Sequence, residues 1–264
     1  MSDNKAAAAA ATLWQNWQTR TRINSLPSDV RPADRAGGYA VQKEIVKLAG
    51  QKVVGWKIAA TSQAGQKHIG VDGPLAAPLL ANRVIQNSAS VPAFSMDGNI
   101  MKVAEAEFAF RLGKPLPRRA TPYTTEEVLA AVASLHPAIE VPDSRYNEFA
   151  GIGAPQLIAD MACACWFALG PETKADWRAR DLVKHQVRAY TNNALVATGT
   201  GANVLGDPRI ALTWSANELS TFGDGIEAGQ FVTTGTCVVP PAVAPGDRFR
   251  ADFGELGSVE VRLT

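Results

Sequence analysis

Residues 101 to 110 read MKVAEAEFAF, and their alternation constrains the fold more than any other stretch of the chain. In an extended strand Val103, Glu105, Glu107 and Ala109 share one face, and Ala104, Ala106, Phe108 and Phe110 share the other. The second face is apolar throughout and belongs against a core. The first face places Glu105 and Glu107 side by side between apolar neighbours. Like charges repel, and half-buried carboxylates also lose solvation. Solvent, basic partners or a divalent cation must offset that cost.

An edge strand with one wet face is the simplest account of an isolated E-A-E. Two features weigh against it here. Lys102 is the only basic residue in the segment, and another lone carboxylate, Glu140, lies in the equally apolar run PAIEV. Three carboxylates carried on strands form a hard-oxygen site suited to Mg²⁺ or Mn²⁺, with water completing the coordination. They suit zinc poorly, because no imidazole or thiolate lies near them in sequence.

The rest of the chain sets the frame. At 264 residues and 46% hydrophobic content it can bury a sizeable core. The expected organisation is an N-terminal helical section, 1–50, and a β-rich catalytic section, 51–264, integrated as one domain. A net charge of +1 with no Lys/Arg run gives no case for nucleic acid or an anionic membrane surface. Cys163, Cys165 and Cys237 are too few and too badly spaced for a disulfide framework, and read as buried thiols in a reducing compartment. The alanine run from Ala6 to Ala11 runs straight into polar residues, unlike a signal peptide. No apolar stretch is long enough to span a bilayer. A cytoplasmic protein is expected.

Helices are expected over 6–22 and 33–49, the second stopped by Gly50. From Lys52 the texture changes to short β-like runs separated by Gly and Pro, with strands at 53–60, 84–91 and 101–110 and a loop-rich section between the first two. Thr124 and Glu127 form a capping box that opens a helix over 124–135. A strand then carries Glu140. Residues 155–169 read as a buried helix, and 184–198 as a strand. A punctuated helix spans 206–223, with Asp207 as cap, Pro208 in the first position and Gly223 at the stop. Three strand-like runs close the chain. Helices followed by strands with inserted helices do not make a regular βαβ alternation. An α+β fold on a rolled, mixed β-sheet is expected.

E-A-E on a strand, followed about thirty residues later by IEVPDSR (139–145), resembles the metal site of the fumarylacetoacetate hydrolase superfamily. Within it the chain is most similar to the 2-keto-4-pentenoate (2-hydroxypentadienoate) hydratases and the related 4-oxalocrotonate decarboxylases. GYAVQKE (38–44), GWKIAATS (55–62), IAD (158–160), LGDP with TWSANELSTFG (205–223), the Gly-Thr of TTGTCVVP (233–240) and GELGSVEVR (254–262) carry the likeness in order. The resemblance implies that Glu105, Glu107 and Glu140 hold the metal. It implies 2-oxo acid or 2-hydroxydienoate substrates, whose carboxylate and 2-oxo oxygen chelate the cation while an enolate forms. It also implies a homo-oligomer, with a complex with a homologous decarboxylase as a further possibility.

Lys57 matches the lysine of the family's G-x-K-I-G-x-T-S. It either snorkels to water or is held near the carboxylates, and the resemblance favours the second. Thr61 and Ser62 either orient substrate or shape a turn. Gly235 and Thr236 match a Gly-Ser or Gly-Thr that contacts the substrate carboxylate, against the alternative of an ordinary bend. Asp160 reads as structural, and Asp143 with Arg145 as a local ion pair or lid contact. His68 reads as an exposed loop residue and His136 as structural. The chain departs from the hydratases in the loop after Ser62. Their P-D-[FY]-G aspartate falls at Leu75, and the nearest acid, Asp72, is the candidate replacement for acid–base work. The resemblance as a whole still makes hydration of a dienoate the first expectation, against this departure. Decarboxylation or C–C hydrolysis on the same metal site is the alternative, and an inactive partner subunit is the non-enzymatic one.

Overall fold

The computed structural model describes residues 1–86 and 90–264. The N-terminal section forms α1 (Asp3–Thr19) and α2 (Arg35–Ala49). Then follow β1 (Val53–Ala59), α3 (Gln63–Ile69), β2 (Leu75–Leu80), β3 (Val84–Gln86), β4 (Ala93–Phe94), β5 (Glu105–Leu112) and β6 (Leu116–Pro117). The middle of the chain gives α4 (Thr125–Ala131), β7 (Val132–Val141), α5 (Ala154–Ala159), β8 (Trp166–Leu169), β9 (Gln186–Thr191) and β10 (Ala194–Thr200). Last come α6 (Pro208–Phe222), β11 (Gly225–Ile226), β12 (Phe231–Thr236), β13 (Arg248–Asp252) and β14 (Ser258–Leu263).

The larger sheet is curled and mixed, in the order β2-β1-β12-β5-β7-β8-β3. Its centre is antiparallel, with parallel pairing at β1–β12 and β3–β8. A five-stranded sheet, β10-β9-β13-β14-β4, packs against it. The apolar face of β5 makes that contact: Phe108 meets Phe253 edge-on, ring centroids 4.9 Å apart, and both rings are fully buried. Burying such a ring contributes about 1.5–3 kcal/mol. The opposite face of β5 is thereby fixed as the one that carries the carboxylates. Helix α2 is fastened over the sheet by Gln42, whose amide donates to Ala76 O (2.9 Å) and Ile158 O (2.6 Å). Among the described residues no helix is long and apolar enough to cross a membrane.

The mixed α+β architecture is the expected one, but several element boundaries move. The Thr124–Glu127 capping box forms, yet α4 ends at Ala131 instead of running to Leu135. Val132, Leu135 and Ile139 are claimed by β7, opposite Leu112, Phe110 and Ala106 of β5, so sheet pairing overrides helix propensity. The apolar run 155–169 divides. Helix α5 stops at Ala159, Met161 to Cys163 turn left-handed (φ 55°, 45° and 62°), and β8 begins at Trp166. A buried helix and a buried strand have the same apolar signature. The run 184–198 is a hairpin, β9 and β10, reversed at Asn192 and Asn193 with φ of 51° and 68°. The section expected as loop after Ser62 contains α3 and the wholly buried β2. Asp207 caps α6 as expected, accepting from Arg209 N (2.8 Å), but Gly223 ends it in an extended conformation (φ −121°). The strand expected over 84–91 is present as β3, and residues 87–89 lie outside the described residues.

Candidate metal centre

The site follows from the register of β5 and β7. Glu105 lies directly opposite Glu140, and Glu107 is on the same face one repeat along. Each of the three offers a carboxylate oxygen, all within 4.8 Å of one another. Glu107 and Glu140 are fully buried and Glu105 is half-buried. Both strands are flanked on each side by other strands, so the cluster stands on the most constrained part of the sheet.

Lys57 reaches the cluster from β1. Its ammonium lies 3.1 Å from Glu140 Oε1 and donates to Ala162 O at 2.9 Å. It is buried, so it does not snorkel to water. Burial works against its charge, but Glu140, then Glu105 and Glu107, outweigh it, and the net shift is upward. Lys57 is therefore a fixed positive charge. The carboxyls shift the other way. Burial pushes Glu140 up to about 7; Lys57 draws it back and Glu105 adds to the rise. Burial, Glu140 and Glu105 together push Glu107 well above its ordinary 4.5.

These shifts have a consequence for stability. A carboxyl whose folded pKa is raised binds more protons folded than unfolded between its two pKa values, so stability falls as pH rises through that window. Metal-free protein is expected to lose stability between about pH 4.5 and 7 as Glu140 is forced to ionise, and the upward shift of Glu107 acts in the same direction. Urea midpoints measured across that range in chelator should fall with pH. A midpoint that climbs instead contradicts the arrangement.

The donor set fits a divalent cation. Glu107 Oε1 and Glu140 Oε2 are buried without a hydrogen-bond partner, and Glu140 Oε1 meets only the Lys57 ammonium, at 3.1 Å. Buried polar atoms are normally satisfied. Here one ammonium faces three carboxylates, and a doubly charged cation would supply both the missing charge and the missing partner. Oxygen-only ligation suits Mg²⁺ or Mn²⁺.

Gly235 completes the wall. It sits in a bulge of β12 between Thr233 and Thr236, at φ +88°, and its N–H donates to Glu107 Oε2 at 3.0 Å. A Cβ there would lie 2.1 Å from Thr61 Oγ1. Gly235→Ala is expected to destabilise the protein by roughly 2 kcal/mol or more, from backbone strain and the clash together. A denaturation midpoint indistinguishable from wild type would contradict this.

Other expected site residues fall further out. Thr61 is buried against Gly235, and its carbonyl accepts from Leu205 N (2.8 Å). Ser62 caps α3, accepting from Gly65 N at 3.0 Å. Thr236 donates its hydroxyl to Val238 O (2.8 Å), so this donor and the Gly235 N–H are engaged within the chain. Asp72 is exposed between α3 and β2, outside the carboxylate cluster, and Leu75 is fully buried. His68 is exposed and packs edge-on to Phe149, and His136 is buried between Ser134 Oγ and Gly170 O. Asp143 and Arg145 do not pair through their charged groups as expected. Arg145 forms a buried ion pair with Asp160, while Asp143 takes Arg22. Ser144 Oγ also donates to Asp160 (2.8 Å), which makes Asp160 the structural anchor expected of it. One participant went unforeseen. Ala162, whose carbonyl holds Lys57, sits in the left-handed turn of three non-glycine residues, and nothing in its residue type signals that conformation.

Strand-borne glutamates that could hold a divalent cation, beside a buried lysine, stand at the centre of a curled mixed sheet. Residues 81–264 match the family model described as fumarylacetoacetate (FAA) hydrolase C-terminal, and the chain belongs to that family. It is 31% identical to a 2-keto-4-pentenoate hydratase of Burkholderia vietnamiensis (strain G4 / LMG 22486), over 99% of this chain and 98% of that one. It is 30% identical to a 4-oxalocrotonate decarboxylase of a Pseudomonas species, over 81% of this chain and 80% of that one. Among solved structures, the 4-oxalocrotonate decarboxylase of Pseudomonas putida G7 complexed with magnesium and adipate matches with a TM-score of 0.88 and 29% identity, covering 100% of this chain and 99% of that one.

Proposed function

We propose that this chain is a Mg²⁺- or Mn²⁺-dependent hydro-lyase that adds water to a 2-hydroxy-2,4-dienoate of the 2-keto-4-pentenoate type, in aromatic catabolism. The observation that carries the reading is the set of orphaned oxygens on Glu107 and Glu140, held 4.8 Å or closer to a Glu105 oxygen and beside Lys57. Glu105, Glu107 and Glu140 would hold the cation. When bound, it supplies Lewis-acid stabilisation of the negative charge that develops on the substrate's 2-oxo oxygen.

The chain's own groups do the rest. Lys57, kept charged by the carboxylates, places a fixed positive group beside Glu140, where it attracts the substrate's oxygens. The bond from Gly235 N–H to Glu107 fixes one carboxylate at the rim. Thr61, Ser62, Gly235 and Thr236 are the residues assigned to the acid's carboxylate. Asp72 supplies the proton transfer for water addition, carried on the turn before β2. The protein works as a cytoplasmic homo-oligomer on small acids.

Decarboxylation of a related 2-oxo acid is the second reading. It is favoured by the fit to the decarboxylase structure and by the exposure of Asp72 away from the cluster. Metal-stripped protein incubated with 2-hydroxypenta-2,4-dienoate, 4-oxalocrotonate and an acylpyruvate, with and without Mg²⁺, separates them by product. Water addition only with Mg²⁺ is expected. Carbon dioxide release alone transfers the assignment to the decarboxylase, and no turnover of any of the three overturns the enzymatic reading. Wild-type hydration by Asp72→Asn would remove Asp72 from the mechanism.

A further inference from the structure

A small cleft of about 50 Å³ lies between the C-terminal end of α1, the turn before β3, the loop after β4 and the segment following β7. Its wall is cationic. Arg20, Arg22, Arg83 and Arg145 all line it. Three of them are neutralised: Arg20 by Asp97, Arg22 by Asp143, and Arg145 by Asp160. Arg83 is not. No carboxylate lies against it among the described residues, and its nearest charged neighbours include Arg145 and Arg20.

Two tryptophans hold Arg83 in place instead. Its guanidinium carbon lies over both rings, 4.5 Å from the centre of Trp166 and 5.7 Å from that of Trp17. A cation–π contact holds the charge without neutralising it, and no ion pair engages the guanidinium's N–H donors among the described residues. Behind it the Arg22 side chain is only 10% exposed and bound to Asp143 and Gly98 O, and its Nε is buried with no hydrogen-bond partner, so Arg22 adds positive field to the cleft without a donor that opens onto it.

We propose that this cleft is an anion site, in which Arg83 binds a small oxyanion of the carboxylate or inorganic phosphate class. The chemistry fits: a planar fork of donors matches an oxyanion in two-point geometry. The size fits as well, since one water needs only roughly 10–15 Å³ of such space. The site is separate from the carboxylate cluster, whose negative charge would repel the same ligand. It also bridges elements that the metal centre depends on. Trp166 pairs with Val141, next to Glu140, while Trp17 belongs to α1, so a bound anion ties the N-terminal section to the strand end beside the metal centre.

Metal-free protein in chelator, at constant ionic strength set with sodium chloride, is titrated calorimetrically with inorganic phosphate and separately with acetate. Saturable binding of at least one, near one per chain, is expected, and Arg83→Leu should weaken it at least tenfold. Arg83→Lys keeps the charge without the stacked fork and should bind with intermediate affinity. Glu107→Gln, which alters only the metal centre, should bind the anion as wild type does. Binding of phosphate alone, or of acetate alone, identifies the ligand class. Equal affinity in wild type and Arg83→Leu, or no saturable binding of either anion, overturns the proposal.

Discussion

Glu107→Gln is expected to lower turnover by at least about a hundredfold while leaving metal-free protein at pH 8 as stable as wild type or more so. The substitution is nearly isosteric. The new amide oxygen still accepts from Gly235 N–H, so the bulge of β12 keeps its anchor. What disappears is a buried carboxyl whose ionised form burial, Glu140 and Glu105 all disfavour. Removing an uncompensated buried charge relieves desolvation and like-charge repulsion. Loss of one of three anionic ligands removes the reason for the cluster. Activity and stability should therefore move in opposite directions, which a merely structural carboxylate would not allow. Steady-state rates in Mg²⁺ and urea midpoints in chelator measure the two together. A variant that is both active and destabilised contradicts the account.

Lys57→Met is expected to cost about 10²–10³ in kcat, with Mg²⁺ affinity held within about tenfold. Methionine fills a similar volume, but it cannot donate to Ala162 O or face Glu140. The lysine is buried from end to end, so its charge acts at short range and in poor solvent. The metal centre loses no oxygen ligand, and losing a like charge does not weaken cation binding. The combination of falling kcat and retained metal affinity separates a role on substrate from a role in holding the site together. Activity within threefold of wild type would assign Lys57 to structure alone.

Much of the site was legible because β5 announces itself. The period-two pattern puts Glu105 and Glu107 on one face, and the lone Glu140 in PAIEV points to a second strand of the same kind. Register does the rest, pairing Glu105 with Glu140. Lys57 was legible through resemblance more than composition, since a lysine between Trp56 and Ile58 reads equally well as an exposed one. The boundaries that moved share a cause. Val132 to Leu135 continue a good helix, and only pairing with β5, distant in sequence, draws them into β7. The turn at Met161 to Cys163 places Ala162 O on Lys57 with three residue types that rarely adopt positive φ. Tertiary contacts impose both, and a local pattern does not contain them. The partners of Arg145 and Asp143 were hidden for the same reason, because Arg22 reaches Asp143 from the end of α1.

The central claim is that Glu105, Glu107 and Glu140 together hold one divalent cation. Titration of Mn²⁺ into chelator-stripped protein, followed by the loss of the free-ion electron paramagnetic resonance signal, tests it most directly. One site per chain is expected in the wild type, with affinity rising from pH 5.5 to 8 as Glu140 gives up its proton. Glu107→Gln and Glu140→Gln should each weaken that site at least tenfold. Unchanged Mn²⁺ binding in both variants would place the cation elsewhere and contradict the account.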